Sequence, residues 1–291
     1  MDFAKAFDKV PHRHLIYKLK YYGVTGHTLN WITDFLTDRT QTVVLEGEMS
    51  NKVPVTSGVP QGTVLGPILF LIYINDLPNY LQHSTLRLFA DDSIIYKEIK
   101  NTNDCYKLQS DLEAAAKWEQ DWLMHFHPDK CNIISITKKR NSLQFDYKLH
   151  SHILEKVNQA KYLGVTLQNN LKWDTHINNI SNKANQTLGF LKRNLKIHSE
   201  KVKDHAYKAL VRPKLEYSAT VWDPYTTSQI NQIEKVQRRA ARFVSNSYHN
   251  TSSVTNMMQN LNWPTLEIRR THARLIMFYK IVHQIVAIRP P

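Results

Sequence analysis

The sequence predicts an α+β fold, a small antiparallel sheet with packed helices followed by an all-helical region. Three observations carry this expectation. Leu86-Arg87-Leu88-Phe89 and Ser93-Ile94-Ile95-Tyr96 put strand-like residues on both sides of Ala90-Asp91-Asp92, as in a hairpin whose tight turn carries the aspartates. Leu108, Leu112, Ala115, Ala116, Trp118, Trp122 and Leu123 recur at the spacing of a long amphipathic helix. Beyond residue 173 the helical period continues through His176–Leu195, Lys201–Trp222 and Ile230–Val244.

The remaining elements follow in chain order. Pro11 and the run Leu15, Ile16, Leu19 predict an amphipathic helix, with Asp8 expected as its N-terminal cap. In Ser57-Gly58-Val59-Pro60-Gln61-Gly62-Thr63 two glycines and a proline bracket Gln61, a composition that lets main chain approach a ligand closely. Val64–Ile74 is almost wholly apolar but far shorter than the roughly 20 residues of a membrane span, so a buried helix is expected. His125–Cys131 leads out of the long helix into a strand expected over Asn132–Thr137. Its two histidines and one cysteine match no common zinc spacing. Past residue 246 the chain starts polar, with a final helix expected over Leu266–Ile288.

The adjacent carboxylates of Asp91 and Asp92 need a reason. Two like charges about 4 Å apart repel by roughly 1 kcal/mol in water and by several times that in a cleft, a cost that a divalent cation removes. Met1-Asp2-Phe3-Ala4-Lys5-Ala6-Phe7-Asp8, then Ser57 to Thr63, then Phe89 to Asp92, then Lys161-Tyr162-Leu163-Gly164-Val165 occur in that order. Together they resemble motifs A, B, C and E of the reverse transcriptases of non-LTR (LINE-type, jockey-like) retrotransposons, and the resemblance extends to about residue 245.

That resemblance implies a polymerase palm over 1–172, a helical thumb-like domain over 173–245 and a helical tail of unassigned role over 246–291. It begins at motif A, so the fingers region that precedes motif A in the family is expected to be missing and the protein truncated at its N-terminus. It implies RNA-directed DNA polymerase activity, in which a primer 3′-hydroxyl attacks the α-phosphate of a deoxynucleoside triphosphate on an RNA template. Asp2, Asp91 and Asp92 would then hold two Mg²⁺ ions, with Mn²⁺ also suited to all-oxygen ligands. Lys130 resembles the motif D lysine, a candidate general acid for the departing pyrophosphate. Phe3, Phe7, Gln61 and Gly62 would be substrate-binding residues, Gln61 touching the incoming nucleotide or the template; the backbone carbonyl of Phe3 is a further metal-ligand candidate and Asp8 the competing carboxylate of motif A. Phe7 stands where the family places an aromatic gate against the 2′-hydroxyl. Tyr162, Leu163 and Gly164 resemble the primer grip. The alternative function is a catalytically inactive nucleic-acid-binding remnant of such an element.

Charge agrees with a nucleic-acid partner. The chain carries 38 basic and 25 acidic residues. Residues 1–172 hold 20 and 18 of these and residues 173–291 hold 18 and 7, so nearly all the excess lies in the second part. Lys192 and Arg193 on one predicted helix, with Arg238, Arg239 and Arg242 on another, suit a phosphate backbone better than a membrane surface. Two cysteines, Cys105 and Cys131, indicate no disulfide framework. An intracellular location, nuclear or cytoplasmic, is the expectation.

Overall fold

The computed structural model describes residues 1–140 and 143–288, and packing divides the chain into Met1–Asn158 and Gln159–Pro291. The division falls ahead of the 159–168 hairpin, which packs with the second unit. Residues 289–291 of the predicted tail lie outside the described residues.

In the first unit, α1 (His12–Tyr21) and α2 (Gly26–Leu36) are followed by four two-residue strands. These are β1 (Thr40–Gln41), β2 (Val44–Leu45), β3 (Glu48–Met49) and β4 (Val53–Pro54), paired β1 with β4 and β2 with β3. Helix α3 (Leu65–Ile74) is the expected apolar helix and buries Leu69, Phe70, Tyr73 and Ile74. The hairpin is β5 (Thr85–Phe89) and β6 (Asp92–Tyr96). Helix α4 (Thr102–Trp122) starts from a reciprocal capping box between Asn101 and Asp104, and it buries Cys105, Leu112, Ala115 and Trp118. Strand β7 (Asn132–Ile134) ends three residues short of the expected Thr137. After β8 (Lys148–Leu149) and β9 (His152–Ile153) comes β10 (Glu155–Val157), which pairs parallel with β7. The sheet is thus a set of small ladders joined by helices.

The core of this unit is aromatic. Phe3 stacks on Phe126 with ring centroids 4.5 Å apart, and Phe70 and Trp118 meet it edge-on. Lys18, expected on no face of α1 in particular, is buried in it. Its Nζ donates to Tyr73 O and Asp76 Oδ1, both at 2.5 Å, and lies 3.6 Å from the Trp122 ring centroid. Burial lowers the Lys18 pKa to about 8, with Asp76 opposing. The cost of this buried ammonium is therefore fully present below pH 8. It is relieved as pH rises toward the ordinary lysine value of 10.5. Thermal unfolding from pH 7 to 10 should show the wild type gaining stability relative to Lys18→Met. Parallel pH curves for the two proteins would contradict this.

Asp8 does not cap α1. It ends a short 3₁₀ turn, Ala6–Asp8, entered through Lys5 at φ 54°, and the cap position belongs to Pro11. Asp8 instead accepts a hydrogen bond from Gln61 Nε2 at 2.8 Å. The left-handed Lys5 turns the chain before the carboxylate can reach the free N–H groups of the helix.

The second unit opens with β11 (Gln159–Tyr162) and β12 (Val165–Gln168) and continues with α5 (Asp174–Asn194). The single helix expected over Lys201–Trp222 is broken into α6 (Glu200–Ala206), a π-helical turn Tyr207–Val211, α7 (Arg212–Glu216) and α8 (Ala219–Trp222). Pro213 is the cause, because it lacks the N–H that would continue the ladder and its ring displaces the preceding turn. Ser218, at φ 53°, makes the second break. Helix α9 (Thr227–Val244) runs parallel to α5, as the bonds Gln229–Asp174, Gln232–Asn178 and Arg239–Asn185 show. An unexpected helix, α10 (Val254–Asn260), is capped by Ser253 and buries Met257 and Met258. Helix α11 (Leu266–Val282) stops six residues before the expected Ile288. Among the described residues no helix is long and apolar enough to cross a membrane.

Candidate active site and basic surface

Asp91 and Asp92 sit where the hairpin pattern put them. In the β5–β6 ladder Phe89 pairs with Asp92, leaving Ala90 and Asp91 as the two turn residues. Ala90 adopts φ 49°, a left-handed conformation that costs a non-glycine residue on the order of 1–2 kcal/mol. Asp91 is half-buried and Asp92 exposed.

Asp2 reaches them through backbone register. Met1 N donates to Ser93 O at 2.7 Å and Ser93 N donates to Met1 O at 3.4 Å. Two residues that exchange both bonds form an antiparallel pair, so the next residues in register, Asp2 and Asp92, lie opposite each other. In such a ladder directly opposed Cβ atoms are about 4.5–5.5 Å apart on one face. On its other side this segment bonds to 125–127, with Ala4 N donating to His125 O (2.7 Å) and His127 N donating to Asp2 O (2.8 Å). Residues 1–3 are therefore tied on both sides, to Ser93 on one and, through the isolated antiparallel bridge Phe3–Phe126, to 125–127 on the other. Alternation turns Phe3 into the core and leaves the Asp2 side chain 42% exposed.

Lys130 Nζ stands 3.8 Å from Asp2 Oδ2, both groups being well exposed, so it offsets little of the repulsion between facing carboxylates. Cys131 is buried behind Asp2, its Sγ accepting from Asp2 N at 3.4 Å, and burial raises its pKa. Among the described residues no three His, Cys, Asp or Glu side chains come close enough to hold a metal ion together. The acidic centre is thus a facing pair, Asp2 and Asp92, with Asp91 beside it on the turn. The donors are hard oxygens, the chemistry that fits Mg²⁺ or Mn²⁺.

The glycine-rich loop docks on the segment after Asp2. Val59 N donates to Phe7 O (2.7 Å), Gly58 N to Val10 O (2.8 Å), and Ser57 Oγ to Asp8 O (3.0 Å). His12 Nε2 and Gly58 O are 2.7 Å apart. Gly58 has φ +94°, and a Cβ there would lie 2.7 Å from Asp8 O. Gln61 and Gly62 remain exposed at the loop's outer edge. Phe7 is partly buried, its ring 4.5 Å from that of Phe70, while Phe3 contributes its side chain to the core.

Sequence reasoning missed Glu119, which is buried and anchors the strand beside Asp2. Its Oε1 accepts from Phe126 N at 2.7 Å, and its Oε2 lies 2.8 Å from His150 Nε2. Its position one residue after Trp118 on the apolar stripe was the available signal.

In the second unit, Leu163 (φ 44°) and Gly164 (φ 82°) form the turn between β11 and β12, both left-handed as a type I′ turn requires. Tyr217 holds this tip, donating from its hydroxyl to Leu163 O at 3.1 Å. Tyr162 is half-buried at the end of β11. On the packed pair α5 and α9, Arg239 donates to Asn185 Oδ1 and Arg242 to His249 O, each at 3.1 Å. Arg193 and Arg238 are exposed. Lys192 has its pKa lowered by burial first and by the charge of Arg239 second. Among the described residues none of these five cations lies within 4 Å of a carboxylate.

Comparison with known proteins identifies the family. Residues 1–167 match the model of the family described as reverse transcriptase (RNA-dependent DNA polymerase). The chain is 28% identical over 258 residues to the RNA-directed DNA polymerase from mobile element jockey of Drosophila melanogaster, covering 84% of this chain and 28% of that protein. It is 29% identical over 285 residues to the probable RNA-directed DNA polymerase from transposon BS of the same organism, covering 92% and 31% respectively. The probable RNA-directed DNA polymerase from transposon X-element is 27% identical over 260 residues, covering 84% and 28%. The chain thus spans about 30% of the length of these relatives. With the carboxylate pair, its docked loop and these matches in hand, the chain belongs to the reverse transcriptase family, of the LINE-type, jockey-like kind.

Proposed function

We propose that this chain is the palm and thumb of an RNA-directed DNA polymerase that extends a DNA primer on an RNA template from deoxynucleoside triphosphates. The observation that carries the reading is the Met1–Ser93 register, which sets Asp2 opposite Asp92 beside the turn residue Asp91. Asp2, Asp91 and Asp92 would hold two Mg²⁺ ions, or Mn²⁺. Such ions, when bound, activate the primer hydroxyl and stabilise the leaving oxygens.

The chain's own residues supply position and selectivity. The backbone bonds of Met1 to Ser93 and of Asp2 and Ala4 to 125–127 hold Asp2 between two neighbouring segments, which would pre-orient its carboxylate. Lys130, 3.8 Å from Asp2, would protonate departing pyrophosphate. Gln61 and Gly62 offer an exposed side chain and main chain to the nucleotide. Tyr162, Leu163 and Gly164 form a hairpin end suited to gripping a primer strand. Lys192, Arg193, Arg238, Arg239 and Arg242 suit the phosphates of the product duplex.

Phe7, backed by Phe70, is a rigid ring fit to exclude a 2′-hydroxyl. In extension assays Phe7→Val should raise ribonucleotide use relative to deoxyribonucleotide use by about 10–100-fold. An unchanged ratio would remove Phe7 from this role.

The test of the whole reading is primer extension by the 291-residue chain on an RNA template with Mg²⁺. Template-directed product is expected. A second reading, a binding module without the chemistry, is favoured by the exposed Arg193 and Arg238 on the packed helices α5 and α9, which suit phosphates whether or not the aspartates hold metal. It predicts salt-sensitive binding of primer–template with no extension.

A further inference from the structure

At the C-terminal ends of the parallel helices α5 and α9 lies a cavity of about 270 Å³. Lys192 and Lys196 border it from α5 and the following loop, Lys203 from α6, and Asn246 and Tyr248 from the segment after α9. Among the described residues no carboxylate lines it. Lys203 is 5% exposed, yet its ammonium has only neutral partners: it donates to Asn246 Oδ1 and lies 5.0 Å from the Phe243 ring centroid. A buried charge normally has a counter-charge, and this one has none within 4 Å among the described residues. Lys192 Nζ sits 5.5 Å from the ring centroid of Tyr248, a side chain 55% exposed.

The two helix ends account for part of this. Each C-terminus carries roughly half a negative charge, about one in total against three lysines, which leaves the cavity near +2. That imbalance calls for an anion, as the singly charged phosphodiester of a nucleic-acid strand is, and the exposed ring beside it calls for a flat group.

We propose that the cavity takes one unpaired nucleotide of a single strand of nucleic acid, its phosphate held by Lys192, Lys196 and Lys203 and its base stacked on Tyr248. The proposal rests on the nucleic-acid partner inferred above and adds a preference that the basic helix faces do not require. A duplex keeps its bases stacked inside and has no free base face to offer the ring, whereas a single strand does.

The experiment is fluorescence-anisotropy binding of the full chain to a short single-stranded oligonucleotide and to a blunt duplex of the same sequence, with a free nucleoside monophosphate as competitor. Lys192→Gln/Lys196→Gln changes two surface lysines and should weaken single-strand binding about 10–100-fold and flatten its salt slope by up to about 0.7, the value for one lost phosphate contact. Tyr248→Ala should weaken the single strand about 5–100-fold and the duplex less than twofold. Buried Lys203 is left in place so that folding is preserved. Unchanged single-strand affinity in either variant overturns the proposal, as does an equal loss on the duplex. Competition by the free monophosphate at oligonucleotide concentrations would reassign the cavity to a free nucleotide. A chain that fails to extend a primer can pass this test, and one that extends a primer can fail it.

Discussion

Asp91→Ala/Asp92→Ala is expected to reduce primer extension by roughly 10³-fold or more while leaving the fold intact. The size of the loss follows from the chemistry. On the proposed reading, removing two hard-oxygen ligands would forfeit metal-borne stabilisation worth several kcal/mol, and each 1.36 kcal/mol is tenfold in rate. The tolerance of the fold follows from position. Asp92 is exposed and Asp91 half-buried at a hairpin tip, and the ladder Leu86–Ile95 and Leu88–Ser93 does not depend on them. The double variant also ends the cross-strand repulsion with Asp2, an effect of about 0.2–1 kcal/mol in its favour. Circular dichroism and thermal unfolding should therefore show an apo protein as stable as the wild type or slightly more so. Loss of extension together with loss of fold would transfer the aspartates from chemistry to structure.

Gly58→Ala is expected to destabilise the first unit by about 2–6 kcal/mol. A φ of +94° strains any L side chain by about 1–3 kcal/mol. The added Cβ would sit 2.7–2.9 Å from Asp8 O, C and Cα, all main-chain atoms that cannot swing aside, and overpacking of this kind costs about 1–3 kcal/mol more. Gly62 is the control. Its φ is +79° but nothing lies within 4 Å of its absent Cβ, so Gly62→Ala should show the backbone cost alone. Urea unfolding should place the Gly58→Ala midpoint well below that of Gly62→Ala with similar slopes. Equal midpoints would mean that the loop does not dock on residues 7–10 in solution.

What the sequence made legible was local. Helices α4, α5 and α9 and the β5–β6 hairpin each announce themselves through a period carried by their own residues, and α3 through a nearly unbroken apolar run. The elements that were misjudged depend on exceptions to that period. Pro213 splits an apolar repeat that otherwise reads as one helix, and Lys5 rotates Asp8 away from the helix it was expected to cap. The candidate site was legible as a set of residue types but not as an arrangement. The exchange between Met1 and Ser93, the Asp8–Gln61 bond and the buried Glu119 join residues far apart in the chain, and no local pattern encodes such a register. Buried Lys18 and Lys203 were hidden because a lysine is ordinarily a surface charge.

The most direct measurement is the Mn²⁺ affinity of the full chain, read from the electron paramagnetic resonance signal of the free ion, for the wild type, Asp2→Asn and Asp92→Asn. Two carboxylates facing across neighbouring strands should act on one bound ion, so each single substitution should weaken binding by about tenfold or more. Full wild-type affinity in Asp2→Asn alongside a clear loss in Asp92→Asn would show that the first strand contributes no ligand, and the facing pair would have no chemical meaning.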